Sequence, residues 1–107
     1  MAPPPFDLGR FAEPGLLILI SLTEGPKHGY AIMTELERET GKPMGPGTLY
    51  AALARLEDRG LIEALAPTER RRPYQLTAIG ASVLTDRLHD LDRVVRKGLG
   101  RLGEDAR

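Results

Sequence analysis

The sequence predicts a mainly α-helical domain carrying one small β-hairpin, on three observations. Leucine-rich stretches recur at helical spacing, first as Leu49, Leu53 and Leu56, later as Ala81, Leu84, Leu88, Leu91 and Val95. Two short segments, 61–65 and 72–76, have the length of strands and flank a turn-rich stretch containing Pro67. Glycine and proline fall at the ends of these segments, as at Gly25-Pro26, Gly41, Gly45-Pro46 and Gly60. A chain of 107 residues, 41% of them hydrophobic, is one domain's worth, with a small core.

The elements follow in order. Residues 1–15 read as a tail: Pro3, Pro4 and Pro5 resist regular structure, while Phe6, Leu8 and Phe11 suit docking on the body or on a partner chain. Leu16 to Leu22 is apolar on every face, a buried strand or a buried helix by pattern alone. As a helix it needs cover on all sides, which points to a dimer. His28-Gly29-Tyr30 opens the next helix, with Ile32, Met33 and Leu36 inward and Gly41 as its stop. Pro46 suits the first position of a third helix that Gly60 ends. In the hairpin, Pro73 confines the second strand to an edge. Thr77 then caps a long last helix, whose glycines 98, 100 and 103 predict fraying past Lys97. Three helices, a hairpin and a further helix are the order of a winged helix-turn-helix with an appended dimerisation helix. The predicted division is a tail (1–15), a winged domain (16–76) and a C-terminal helix (77–107).

Composition removes several function classes. There is no cysteine, so disulfides, thiolate metal sites and thiol nucleophiles are excluded, and two histidines leave little for a metal. No Ser/His/acid set and no glycine-rich loop after a strand is present, so no enzyme is expected. His89, Asp90 and Asp92 are close in sequence but do not share a helix face. The longest apolar run is far short of the ~20 residues that span a bilayer, and a cytoplasmic protein with no membrane partner is expected. Net charge is zero, yet residues 1–40 balance at −3 and residues 41–76 at +2.

Four motifs stand in order: His28-Gly29-Tyr30; Pro46-Gly47-Thr48-Leu49-Tyr50; Leu53-x-x-Leu56-Glu57-x-x-Gly60-Leu61-Ile62; and Arg71-Arg72-x-Tyr74-x-Leu76-Thr77-x-x-Gly80. Together they resemble the PadR family of bacterial transcriptional regulators, over residues 16 to about 95. The resemblance implies a homodimeric repressor that binds double-stranded operator DNA, with its dimer made by the C-terminal helix. Gly45 stands where the family usually has Ser, and the wing lacks the glycine the family often shows before its arginines. With no Trp, the indole pair of drug-sensing members cannot form.

On this reading the recognition helix is 46–59 and the wing is 66–72. The outer face of the helix holds Gly47, Ala51, Ala54 and Asp58, with Thr48 and Arg55 to one side and Tyr50 to the other. Small residues there mean either helix propensity on a wet surface or close seating in a major groove ~12 Å wide. Arg55 is the one candidate for a bidentate base contact, and equally a phosphate ligand. Tyr30 and Tyr50 read as phosphate anchors or as half-buried core tyrosines, and His28 as an anion contact or a helix cap. Arg70, Arg71 and Arg72 are a backbone probe or a solvated loop. Leu16, Leu17, Leu19 and Ile20 with Ala81, Leu84, Leu88, Leu91 and Val95 form the expected dimer seam, the alternative being packing within one chain. No cofactor is expected. Family members often hold flat hydrophobic effectors between protomers; Phe6, Phe11 and the first helix would line such a space here, and a repressor without an effector fits equally. The rival function is a winged-helix protein-interaction module or antirepressor without DNA affinity.

Overall fold

The computed structural model describes residues 14–104. In chain order it contains α1 (Pro14–Ser21), a 3-10 turn (Leu22–Glu24), β1 (Lys27–His28), α2 (Gly29–Thr40), α3 (Pro46–Asp58), β2 (Ile62–Ala64), β3 (Pro73–Leu76) and α4 (Ala78–Arg101). The architecture is the mainly helical, winged one the sequence predicts. The tail residues Phe6, Leu8 and Phe11 lie outside the described residues.

The apolar run is a helix, and its own chain covers most of it. Ile18, Leu19 and Leu22 join Ile32, Leu36, Leu49, Ala52, Leu53, Leu56, Ile62 and Leu84 in one buried core. Leu16 and Leu17 are half-buried against it and Ile20 is open. The chain itself thus supplies much of the cover that the pattern of the run led us to seek in a dimer. Helices α2, α3 and α4 pack against α1, and among the described residues Ile20 is the member of the run left exposed.

The wing is a three-stranded antiparallel sheet ordered β1-β3-β2, not a two-stranded hairpin. Lys27 pairs with Tyr74 and His28 with Pro73, so β3 is central and the edge placement drawn from Pro73 is overturned. Pro73 is tolerated because it is the strand's first residue, and its carbonyl still accepts from Leu65 N–H at 2.8 Å. Sequence patterning could not register β1, which is two residues long.

Two glycines hold the elements together. A Cβ on Gly80 would lie 2.0 Å from the Leu61 carbonyl oxygen, so only glycine lets the start of α4 press against the entrance to β2. Thr77 fixes that start: its Oγ1 accepts from Gly80 N–H at 2.9 Å and donates to the Gly60 carbonyl at 2.7 Å. Gly60, at φ 76°, closes α3 with Gly60 N–H on the Glu57 carbonyl and Leu61 N–H on that of Leu56. Helix α4 does not fray past Lys97. It runs through Gly98 and Gly100, and the same pair of closing bonds forms at Gly103, from Gly103 to Gly100 and from Glu104 to Leu99. Each interior glycine costs only about 1 kcal/mol against alanine, too little to end a 24-residue helix.

Candidate nucleic-acid interface

Helix α3 starts at Pro46 after Gly45, which has no side chain to cap it. Its first N–H groups therefore lack side-chain acceptors, the arrangement that favours an anion. Gly47, Thr48, Ala51, Ala54, Arg55 and Asp58 are all exposed, so the outer face is as bare as its sequence.

On one flank of α3, six predicted residues converge. His28, Tyr30, Tyr50, Arg70, Arg71 and Arg72, with Gly29 and Tyr74, line a hollow of about 280 Å³. No carboxylate is among the lining residues. Tyr30 and Tyr50 are 64% and 48% exposed, so neither is a core tyrosine. The Tyr50 ring lies across Gly29, where any Cβ would come 2.5 Å from the phenol oxygen. That packing is a physical reason for the glycine between His28 and Tyr30. Tyr74 was missed as a site residue because it reads as an ordinary strand aromatic. Burial, then the Glu57 charge and Tyr50, push its phenol up, against the pull of Arg72.

His28 caps α2, its Nδ1 accepting from Ala31 N–H at 3.3 Å. Its other ring nitrogen, Nε2, lies 3.0 Å from Arg71 Nη1. The wing tip is a two-residue turn in which Thr68 and Arg71 exchange backbone bonds of 2.7 and 2.8 Å. Its central residues Glu69 and Arg70 have φ of 50° and 68°. Such turns normally take Asn or Gly, so the arginines are displayed on a strained tip.

Below this flank, Lys27 is spent internally. Its Nζ donates to Glu35 (2.5 Å), Glu24 (2.9 Å) and buried Ser21 (3.1 Å), and Ser21 Oγ donates to Glu35 at 2.8 Å. The Glu35 carboxyl is held below its ordinary value, chiefly by the bond from Lys27. For the Lys27 amine, burial is the largest single influence and lowers it, but Glu35 and Glu24 together hold it above its ordinary value.

Arg55 is not with the others. It lines a separate groove of about 690 Å³ on the other flank of α3, with Arg59, Arg87, Leu16, Leu19, Leu56, Val83 and Leu84. None of its three arginines pairs with a carboxylate among the described residues.

Of the expected seam, Leu19 and Leu84 are buried in their own domain. Leu91 is half-buried, and Ala81, Leu88 (40%) and Val95 (53%) are exposed. The stripe also continues beyond the sequence reading, to half-buried Leu99 and to Leu102. Among the described residues no helix is long and apolar enough to cross a membrane.

Residues 18–86 match the model of the transcriptional regulator PadR-like family. Over 97 residues the chain is 42% identical to an uncharacterized protein of transposon TN4556 from Streptomyces fradiae; it spans 91% of itself but only 27% of that protein. It is 35% identical to transcriptional regulator Rv3488 of Mycobacterium tuberculosis, over 79% of this chain and 81% of that one. A solved PadR family transcription regulator from Clostridium difficile superimposes with a TM-score of 0.70 at 28% identity, covering 83% of this chain and 96% of the other.

Proposed function

The chain belongs to the PadR-like family of transcriptional regulators, and on that premise we propose that it is a repressor binding a palindromic operator as a homodimer. A transcriptional regulator is not an enzyme. The observation that carries the DNA reading is the hollow beside α3, where three arginines, three tyrosines and a histidine meet with no carboxylate. Such a set suits phosphate oxygens, which position a protein on a duplex without reading bases. The bare face of α3 beside it suits a major groove, with Gly47, Thr48 and Ala51 nearest the bases. With no Arg, Asn or Gln near the helix start, DNA shape and deformability carry much of the specificity. The repressor role rests on the family resemblance alone.

The homodimer reading is supported by α4. Past Leu84 the stripe of Leu88, Leu91, Val95, Leu99 and Leu102 leaves the domain body, and among the described residues Leu88, Val95 and Leu102 are exposed. A second copy of the helix would bury it, giving a winged unit at 16–76 and a dimerisation unit from 77 onward. Two recognition helices then imply half-sites about one turn apart, ~34 Å, or a multiple of that.

The test is selection and sequencing of bound genomic fragments, followed by a salt titration. An inverted-repeat operator and an affinity falling steeply with salt are expected. Binding to no duplex would favour the protein-interaction rival; sites without inverted symmetry would remove the dimer.

A further inference from the structure

The hollow beside the wing contains a hydrogen-bond conflict. His28 Nδ1 accepts from Ala31 N–H, while Arg71 Nη1 stands 3.0 Å from His28 Nε2. A guanidinium offers donors only, so the second contact needs a lone pair on Nε2. A neutral imidazole has one lone pair and one N–H. A ring that caps α2 through Nδ1 therefore turns Nε2–H toward Arg71, donor against donor. A protonated ring serves neither partner. His28 satisfies the helix or the wing, one at a time.

We propose that His28 is a tautomeric latch between the wing and α2, and that a DNA backbone phosphate resets it. The proposal rests on the DNA-binding reading above. In the free protein the ring is divided between two tautomers, one holding Arg71 on Nε2 and one capping Ala31 through Nδ1. A phosphate entering beside Arg71 takes its N–H groups, because an anionic oxygen is a stronger acceptor than a neutral ring nitrogen and accepts the guanidinium fork in two bonds. Released from Arg71, the ring settles as the Nε2–H form. Nδ1 then keeps the α2 cap and Nε2–H donates to the same phosphate. The ring loses a proton at Nδ1 and gains one at Nε2 through water, with no net uptake.

The surroundings fit this exchange. The register of β1 on β3 sets His28 opposite Pro73, which ties the ring to the base of the wing. Tyr30, Tyr50, Tyr74, Arg70 and Arg72 line the same hollow, and no lining carboxylate competes for Arg71. One phosphate would thus engage the wing and the α2 start as a single unit.

The experiment is imidazole ¹⁵N NMR on the full chain, free and bound to a mixed-sequence duplex at low salt, for wild type and Arg71→Ala. Wild type should show averaged ring shifts when free and an Nε2–H pattern when bound. Arg71→Ala should show the Nε2–H pattern even without DNA. His28→Asn supplies a good cap acceptor but cannot reach the phosphate, and should lower duplex affinity about threefold to tenfold. Binding that persists with ring shifts unchanged by duplex and by Arg71→Ala overturns the latch and leaves the DNA reading standing. Unchanged affinity in His28→Asn likewise overturns the phosphate contact. Wild type that binds no duplex overturns the DNA reading itself, and the resetting by phosphate falls with it.

Discussion

The two flanks of α3 each display three arginines, and their settings are opposite. On the wing side Arg70, Arg71 and Arg72 face tyrosine hydroxyls and an imidazole. On the other side Arg55, Arg59 and Arg87 stand over an apolar floor of Leu16, Leu19, Leu56 and Leu84. Arginine carries both a charged fork and an apolar stem, and the neighbours decide which one is used. Among hydroxyls the fork is free to take an anion. Beside leucines the fork has no polar partner in the groove, and the exposed side chain keeps its charge in water. On the proposed reading, an arginine in a sequence motif becomes a phosphate ligand only through the company the fold gives it.

The largest expected effect separates the two flanks directly. Replacing Arg70, Arg71 and Arg72 together with alanine should lower the slope of log affinity against log salt by up to about three per protomer, at roughly 0.9 for each phosphate no longer neutralised. Replacing Arg55, Arg59 and Arg87 should leave that slope alone and lower folding stability slightly, because the apolar stems flanking the groove are lost. Duplex titrations across a salt series, paired with urea melts, read both quantities. An equal fall in slope for both variants would mean that α3 is gripped from both sides, and the contrast would collapse.

The next effect sharpens the apolar side, where the groove floor runs into the α4 stripe. Leu84 is fully packed in its own domain, so Leu84→Ala should cost about 2–5 kcal/mol. That loss should be the same at any protein concentration. Leu91→Asp should instead leave the winged domain folded and dissociate the proposed dimer, seen as a monomer in sedimentation. If Leu84→Ala acted only through oligomeric state, the floor would belong to the interface and not to the core.

Much of this contrast was legible in the sequence, and the gaps have identifiable causes. His28 and Tyr30 stand in a motif whose Gly29 lies under Tyr50, and Arg71 and Arg72 in one whose Gly80 presses against Leu61. Tyr50, by contrast, shares its motif with a Gly47 that packs against nothing among the described residues, and Arg70 was legible only from the charge run. Arg55 lies on the flank opposite Tyr50, as its wheel angle gives, but its neighbours there were not legible. A helical wheel gives its angle on α3 but not what α1 and α4 bring to that angle. The short β1 carries no periodic signal, so neither the central position of β3 nor the contact from His28 to Arg71 could be foreseen. The cover of α1 was not legible because an all-apolar helix does not say whose side chains will surround it.

Lys27 is the useful control, a cation already consumed by its own fold. The sign of its linkage follows from both partners. Glu35 has a lowered value, so its contribution is present above the unfolded carboxylate value, about 4.3, and is lost as pH falls through the folded one. Lys27 has a raised value, so its contribution is present below about 10.4 and is lost as pH rises through the folded one. Between those limits Glu35→Gln should cost about 1–3 kcal/mol. The gap to wild type should narrow as acid protonates Glu35, while duplex binding stays intact. Urea melts at several pH values provide the check; a pH-independent gap would mean that Lys27 is held by packing alone.

The smallest effect lies at the wing tip, where stability and binding should move in opposite directions. Arg70 sits at φ 68° in the second central position of a turn that normally takes glycine there. A side chain in that region is strained, so Arg70→Gly should raise folding stability by roughly 0.5–1 kcal/mol. If Arg70 holds a phosphate as proposed, the same change should lower the salt slope by about one per protomer. Arg70→Ala removes the same guanidinium without relieving the backbone, which separates the two causes. Paired thermal melts and duplex titrations on both variants make the comparison. If Arg70→Gly destabilised the protein, the arginine would be supporting the turn through its own interactions, and the wing would be ordered by its side chains and not strained in spite of them.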